Sequence, residues 1–141
     1  MENNWIKPLP SVDLDMEPFY NSLKKHEFKL FRCKTCGAWY WPPTYCIKHG
    51  NEPFFGNMEW ANASGNGKVF TFNINYRAFH PGFKKDIPFV YAMIETEEGP
   101  LISSNVIGCD PNEVHVGMPV RVVFQDITLE FTLPMFEPTQ S

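Results

Sequence analysis

The sequence contains no run approaching the roughly 18 consecutive apolar residues that a membrane helix needs. Its opening stretch, MENNWIKPLP, has neither the charged start nor the apolar segment of a secretory signal. Both features predict a cytoplasmic protein without a membrane partner. Charge is scarce as well: charged residues are 20% of the 141, and the 12 Lys and Arg are outnumbered by 16 Asp and Glu, for a net charge of −4. A strongly basic nucleic-acid surface is thereby disfavoured, because phosphate-backbone affinity needs an excess of positive side chains. Cysteine is nearly confined to one short stretch, with Cys33, Cys36 and Cys46 close together and Cys109 apart. Without a secretory signal, a disulfide framework is the less expected use of these thiols.

Aromatic residues, by contrast, are abundant. They make up 16% of the chain, with 13 Phe, and hydrophobic types reach 43%, which argues for a packed core and against a disordered chain. Such side chains either carry much buried area or line a surface that expects a partner. Thirteen Pro and 9 Gly predict many turns and few long helices. The length suits one compact domain, or one domain plus a small appendage.

The cysteine stretch has a definite spacing. Cys33 and Cys36 stand in CKTCG, and Cys46 and His49 in CIKHG, giving C-x2-C-x9-C-x2-H. Each half ends in glycine, Gly37 and Gly50, which permits the positive φ of a tight ligand-presenting turn. Three thiolates and one imidazole make a tetrahedral set suited to zinc, one ion per chain. Four protein donors close the coordination sphere, so the expected role is structural and not that of a Lewis acid. Two other uses of the pair remain open. A redox CxxC usually opens a helix, whereas FKLFRC and AWYWPP on either side read as short strands. A ribbon that has lost its metal is the third possibility. Electron transfer through iron would call for four thiolates, and His49 argues against it.

Along the chain, residues 13–27 predict one helix, with Asp13 or Asp15 as cap, Pro18 in its first turn and Phe19 and Leu23 as a narrow apolar stripe. Residues 28–56 form the expected zinc ribbon, crowded by Trp39, Tyr40, Trp41 and Tyr45 around Pro42-Pro43. From residue 57 the pattern becomes β. Phe70, Phe72, Ile74 and Tyr76 alternate with polar residues, the period-2 signature of a half-buried strand. Further strands are expected at 88–96, 101–108, around 120–125 and at 129–133, the last ended by Pro134, with a loose tail FEPTQS. EEGP reads as a hairpin turn, and CDPNEVHVG as a turn at most. Five strands with short connections match an OB-fold, with an SH3-like barrel as competitor. The expected fold is mostly β, divided as 1–27 (arm and helix), 28–56 (ribbon) and 57–141 (barrel and tail). The acceptor pattern Asn62-Ala63-Ser64 is a chance match, since nothing else suggests secretion.

The order of these parts resembles the family of OB-fold proteins with a rubredoxin-like zinc ribbon, long labelled a domain of unknown function and associated with acyl-CoA metabolism. The likeness lies in RCKTCG, WPPTYC, SGNGKVFTF, VYAMIETEEGP and VGMPVRVVF, and spans roughly residues 15–138. His49 departs from it, because many members carry a fourth Cys there. The resemblance implies a small accessory subunit of a thiolase-superfamily enzyme, benzoylsuccinyl-CoA thiolase among them. A thiolase-like partner would carry the catalytic Cys and His, in a two-plus-two assembly. The small chain would hold the complex together and help to form the channel for the CoA thioester.

Within that frame the segment YRAFHPGFKKDIP stands out. It mixes Arg77, His80, Lys84 and Lys85 with Tyr76, Phe79 and Phe83. Positive heads suit CoA phosphates, and ring faces suit adenine or a partner surface. An ordinary exposed loop is the alternative. Cys109 with His80 or His115 makes no recognisable catalytic set, since a nucleophile needs an adjacent base and an oxyanion site. A single-stranded nucleic-acid binder and a stand-alone acyl-CoA enzyme are the rival functions.

Overall fold

The structure is a computed structural model and describes residues 5–49 and 57–139. One helix, α1 (Glu17–Lys24), leads into a three-stranded antiparallel sheet of β1 (Lys29–Cys33), β2 (Trp39–Tyr40) and β3 (Met58–Asn62), in the order β2-β1-β3. A closed five-stranded barrel follows, built from β4 (Asn66–Asn75), β5 (Phe89–Thr96), β6 (Leu101–Val106), β7 (Pro119–Asp126) and β8 (Thr132–Pro138), in the order β4-β5-β6-β8-β7. The molecule is mostly β, with one amino-terminal helix, a Cys/His ribbon and a five-stranded barrel, as the sequence predicts. The ribbon's sheet reaches across the expected division at residue 56, because β3 pairs with β1 from Lys29↔Asn62 to Cys33↔Met58. Among the described residues, no helix is long and apolar enough to cross a membrane.

The helix is shorter than residues 13–27. Asp13 does organise its entry: the backbone carbonyl accepts from the amides of Met16 and Glu17, each at 3.1 Å. Residues 13–16 form a turn, and Pro18 falls in the first helical turn, where its missing N–H costs nothing. The helix stops at Lys24 because His26 adopts a left-handed backbone, φ 59°, and the amides of His26 and Glu27 close onto the carbonyls of Leu23 and Ser22. Phe19 and Leu23 are both buried, as their spacing suggests.

Two further departures have physical causes. A β-bulge between Val69 and Thr71 shifts the alternation along β4 by one residue. Val69 points inward at 1% exposure and Phe70 is expelled at 51%, while Phe72 and Ile74 pack on the core. Tyr76 lies beyond the strand and is exposed. The expected single face of four aromatic and aliphatic residues is thus split. At the other end, the last strand runs through Pro134 to Pro138. Pro134 is tolerated because β8 meets its parallel neighbour β6 at the single register pair Val106↔Phe136, so few ladder donors are required on that side. The Ser104 hydroxyl takes the Pro134 carbonyl at 2.7 Å. Of the expected loose tail FEPTQS, residues 136–138 belong to this strand and Phe136 is fully buried at the centre of the core, while residues 140 and 141 lie outside the described residues.

That core is continuous. Phe19, Leu23, Phe28 and Leu30 from the helix and ribbon join Val69, Ala92, Ile94, Val120 and Phe136 of the barrel. The Phe28 ring meets Phe136 edge-on at 6.1 Å. A second clasp lies at the surface: the His26 ring stacks on Phe124 at 5.1 Å, and its Nε2 lies 3.0 Å from Asp126 Oδ1. The Thr132 hydroxyl donates to the same oxygen at 2.6 Å. The Thr132 hydroxyl first, then the His26 ring, hold the Asp126 carboxyl below the usual carboxylate range. Replacing Phe136 by Ala should cost about 3–5 kcal/mol of stability, as expected for a buried ring. Urea unfolding checks this, and a change under 1 kcal/mol would show the carboxy-terminal strand to be dispensable.

Candidate metal centre

Strand β1 alternates its side chains between two environments. Leu30 faces the barrel core, while Phe31 and Cys33 face a second, small cluster with Cys46 and Met58. After β1 the chain turns tightly. The Gly37 amide donates to the Cys33 carbonyl at 2.8 Å, and the Cys33 amide to Ala38 at 2.8 Å. Gly37 takes φ 77°, the conformation its place in the motif demands. The matching glycine at 50 lies outside the described residues. The Asn57 carbonyl accepts from the Lys34 amide at 2.7 Å, tying the knuckle to the start of β3.

These turns bring together all four predicted ligands, Cys33, Cys36, Cys46 and His49, with their donor atoms within 4.8 Å of one another. His49 Nδ1 lies 3.5 Å from Cys33 Sγ and 3.4 Å from Cys46 Sγ, and Cys36 Sγ lies 3.6 Å from Cys46 Sγ. Sulfurs at about 2.3 Å and nitrogen at about 2.0 Å from a tetrahedral centre would stand roughly 3.5–3.8 Å apart. The donor set therefore has the chemistry and the edge lengths to hold a metal ion, in the manner of a zinc ribbon.

Two side chains around this set carry no motif. The Tyr40 hydroxyl donates to Cys46 Sγ at 3.5 Å and accepts the Ile47 amide at 2.9 Å. Asn57 Nδ2 donates to Cys33 Sγ at 3.7 Å. The Tyr40 hydroxyl is the first cause, and the His49 ring another, of a Cys46 thiol pulled down to about 5 from an ordinary value near 9. Cys46 is thereby held as the thiolate that metal ligation needs.

The loop after β4 divides the other candidate residues. Arg77, Phe79, Lys84 and Lys85 are exposed, Phe79 at 86%. His80 and Phe83 turn inward. His80 Nδ1 accepts the Gly82 amide at 2.9 Å, capping a 3-10 turn at Pro81–Phe83. Phe83 stacks on Phe89 at 5.4 Å, with the Lys7 ammonium over its ring. Lys7 also pairs with Asp86, strapping the amino-terminal arm over this loop. Gly82 fits beneath the arm because a Cβ there would lie 2.5 Å from the Ile6 carbonyl oxygen. Below the strap is a pocket of 290 Å³ whose lining includes Phe83, Phe89, Asn105, Cys109 and Gln125. Burial first, then the nearby Glu113 and Asp110 carboxylates, push the Cys109 thiol up, the wrong direction for a nucleophile.

The family described as ChsH2, C-terminal OB-fold domain, matches residues 60–125. A DUF35 domain-containing scaffold protein of Methanocaldococcus jannaschii is 39% identical over 97 residues, 68% of this chain and 66% of that protein. The chain belongs to the OB-fold DUF35 family. A solved DUF35 chain, from a structure described as Ltp2-ChsH2(DUF35) aldolase, superposes with a TM-score of 0.80 at 27% identity, covering 92% of this chain and 98% of that one. A probable enoyl-CoA hydratase alpha subunit of Thermomonospora curvata is 29% identical over 135 residues, 94% of this chain. This DUF35 chain spans only 40% of that subunit's length.

Replacing Tyr40 by Phe should weaken metal affinity roughly 10–100-fold, the usual cost of losing an outer hydrogen bond to a ligand. Loss of the donor raises the Cys46 thiol, so protons compete from a higher pH and the midpoint of metal release moves upward. Titration with zinc or cobalt(II) at several pH values measures both shifts.

Proposed function

We propose that this chain is a non-catalytic subunit of an acyl-CoA-processing complex, stapled by one structural zinc at Cys33, Cys36, Cys46 and His49. A thiolase-like partner carries the catalytic residues for thiolysis or a related retro-aldol or acyl-transfer step on a CoA thioester. The observation that carries this reading is the near full-length likeness to the DUF35 chain of the Ltp2-ChsH2(DUF35) aldolase. It is supported by a ligand set whose four protein donors leave no open position for chemistry.

In this reading the exposed loop faces the partner. Phe79 and Tyr76 are large apolar surfaces left in water by the isolated chain. Beside them Arg77, Lys84 and Lys85 present three positive heads suited to the phosphates of CoA. The complex is a two-plus-two assembly in the cytoplasm, with the small chain bordering the CoA entrance.

A second reading changes the partner. The likeness to a hydratase alpha subunit, of which this chain spans 40%, favours a hydratase-type chain in place of the thiolase-like one. A tagged copy recovered from its native host, followed by identification of the co-purifying chain, separates the two. Cleavage of a 3-oxoacyl-CoA by the pair supports the first reading, and hydration of an enoyl-CoA the second. Within the correct pair, changing Arg77, Lys84 and Lys85 together to Ala should raise KM for the acyl-CoA about tenfold or abolish complex formation. If neither changes, the loop has no part in either role. Turnover by the isolated chain would overturn the proposal as a whole.

A further inference from the structure

The three thiol ligands are chemically unequal. Cys33 and Cys46 are buried, and each receives a side-chain donor, Asn57 Nδ2 on Cys33 and the Tyr40 hydroxyl on Cys46. Such bonds draw electron density from sulfur, and burial keeps reagents away. Cys36 is exposed, and the side-chain hydrogen-bond partner of its sulfur is a thiol, that of Cys46. The two sulfurs stand 3.6 Å apart. Electrophilic attack is therefore directed to one thiolate with a resolving thiolate beside it, the arrangement that favours disulfide formation over deeper oxidation.

We propose that the ribbon is a peroxide-labile staple, with Cys36 as the modification site and Cys46 as the residue that resolves it. The Cys36 thiolate attacks an oxygen of a hydroperoxide. A sulfur–oxygen bond forms, the oxygen–oxygen bond breaks, and hydroxide leaves when the reagent is hydrogen peroxide, so sulfur is oxidised by two electrons to the sulfenic acid. The Cys46 thiolate then attacks the Cys36 sulfur. A disulfide forms, the sulfur–oxygen bond breaks and a second hydroxide leaves. One peroxide is reduced for two thiolates oxidised, and the disulfide removes two of the four metal donors, leaving Cys33 and His49.

The effect reaches beyond the knuckle. Cys46 is held by Tyr40, which sits in β2 next to Trp41, and the Trp41 ring packs on Phe19 of α1 at 4.4 Å. Releasing Cys46 thus loosens the ribbon where it seats on the helix. The inference rests on the zinc reading and is independent of the acyl-CoA partner.

The test starts from metal analysis of the purified full chain. A chain that neither carries zinc nor takes it up refutes the zinc reading, and this inference with it. Zinc-loaded protein is then titrated with hydrogen peroxide while zinc release is followed with a chromophoric chelator, free thiols are counted and peptides are mapped. The expected result is zinc release with loss of two thiols and a Cys36–Cys46 cross-link. Cys109→Ser should leave the rate unchanged. Cys36→His, which keeps four donors, should slow release at least about tenfold. Zinc retained while Cys109 oxidises, a Cys33–Cys46 cross-link, or an unaltered rate in Cys36→His each overturns the proposal. Should Cys36→His fail to take up zinc, the cross-link map of the native chain decides alone.

Discussion

Four donor atoms gathered within 4.8 Å could hold a metal ion in a ribbon whose own apolar cluster has, among the described residues, four buried members, Phe31, Cys33, Cys46 and Met58. Two of those four are themselves ligands. Among the described residues, burial on that scale is small beside the ordering of the knuckles, since fixing each residue costs roughly 1–2 kcal/mol. A tetrahedral metal in comparable small units contributes about 10–16 kcal/mol of apparent binding energy. The rest of the ribbon converges on this donor set: the short β2, the glycine turn at Gly37, and the Tyr40 and Asn57 donors that reach two of the sulfurs.

The clustering of Cys33, Cys36, Cys46 and His49 was legible because knuckle spacing is a local constraint, written in positions a few residues apart. The five barrel strands were legible because alternation is local too. What escaped lay in tertiary context. The bulge at Phe70 depends on β4 having to serve both β5 and β7, a demand that no window of β4 alone reveals. The burial of Phe136 depends on barrel closure, and Pro134 made the segment read as an ending. Tyr40 and Asn57 reach the sulfurs across the ribbon, from positions unrelated to the ligand spacing. The clasp of His26 and Asp126 joins residues a hundred positions apart, and only the left-handed turn of His26 brings its ring to Phe124.

Charge and aromatics divide the surface in a way that bears on partners. OB-folds that bind single strands combine a basic groove with stacking rings. Here the exposed rings Tyr76 and Phe79 have Arg77, Lys84 and Lys85 nearby, but Lys68 is paired with Glu95 and Arg121 with Glu137. These two pairs partly neutralise the positive side chains of the barrel, and among the described residues no continuous basic stripe tracks it.

Trp60 belongs to both apolar clusters, packing on Phe31 at 5.0 Å on one side and on Phe19 at 6.0 Å on the other. A side chain that serves as a wall of two rooms makes each sensitive to the other's occupancy. The ribbon and the barrel are therefore not beads on a string. Disturbance at the smaller is felt as lost contact in the larger through this shared ring.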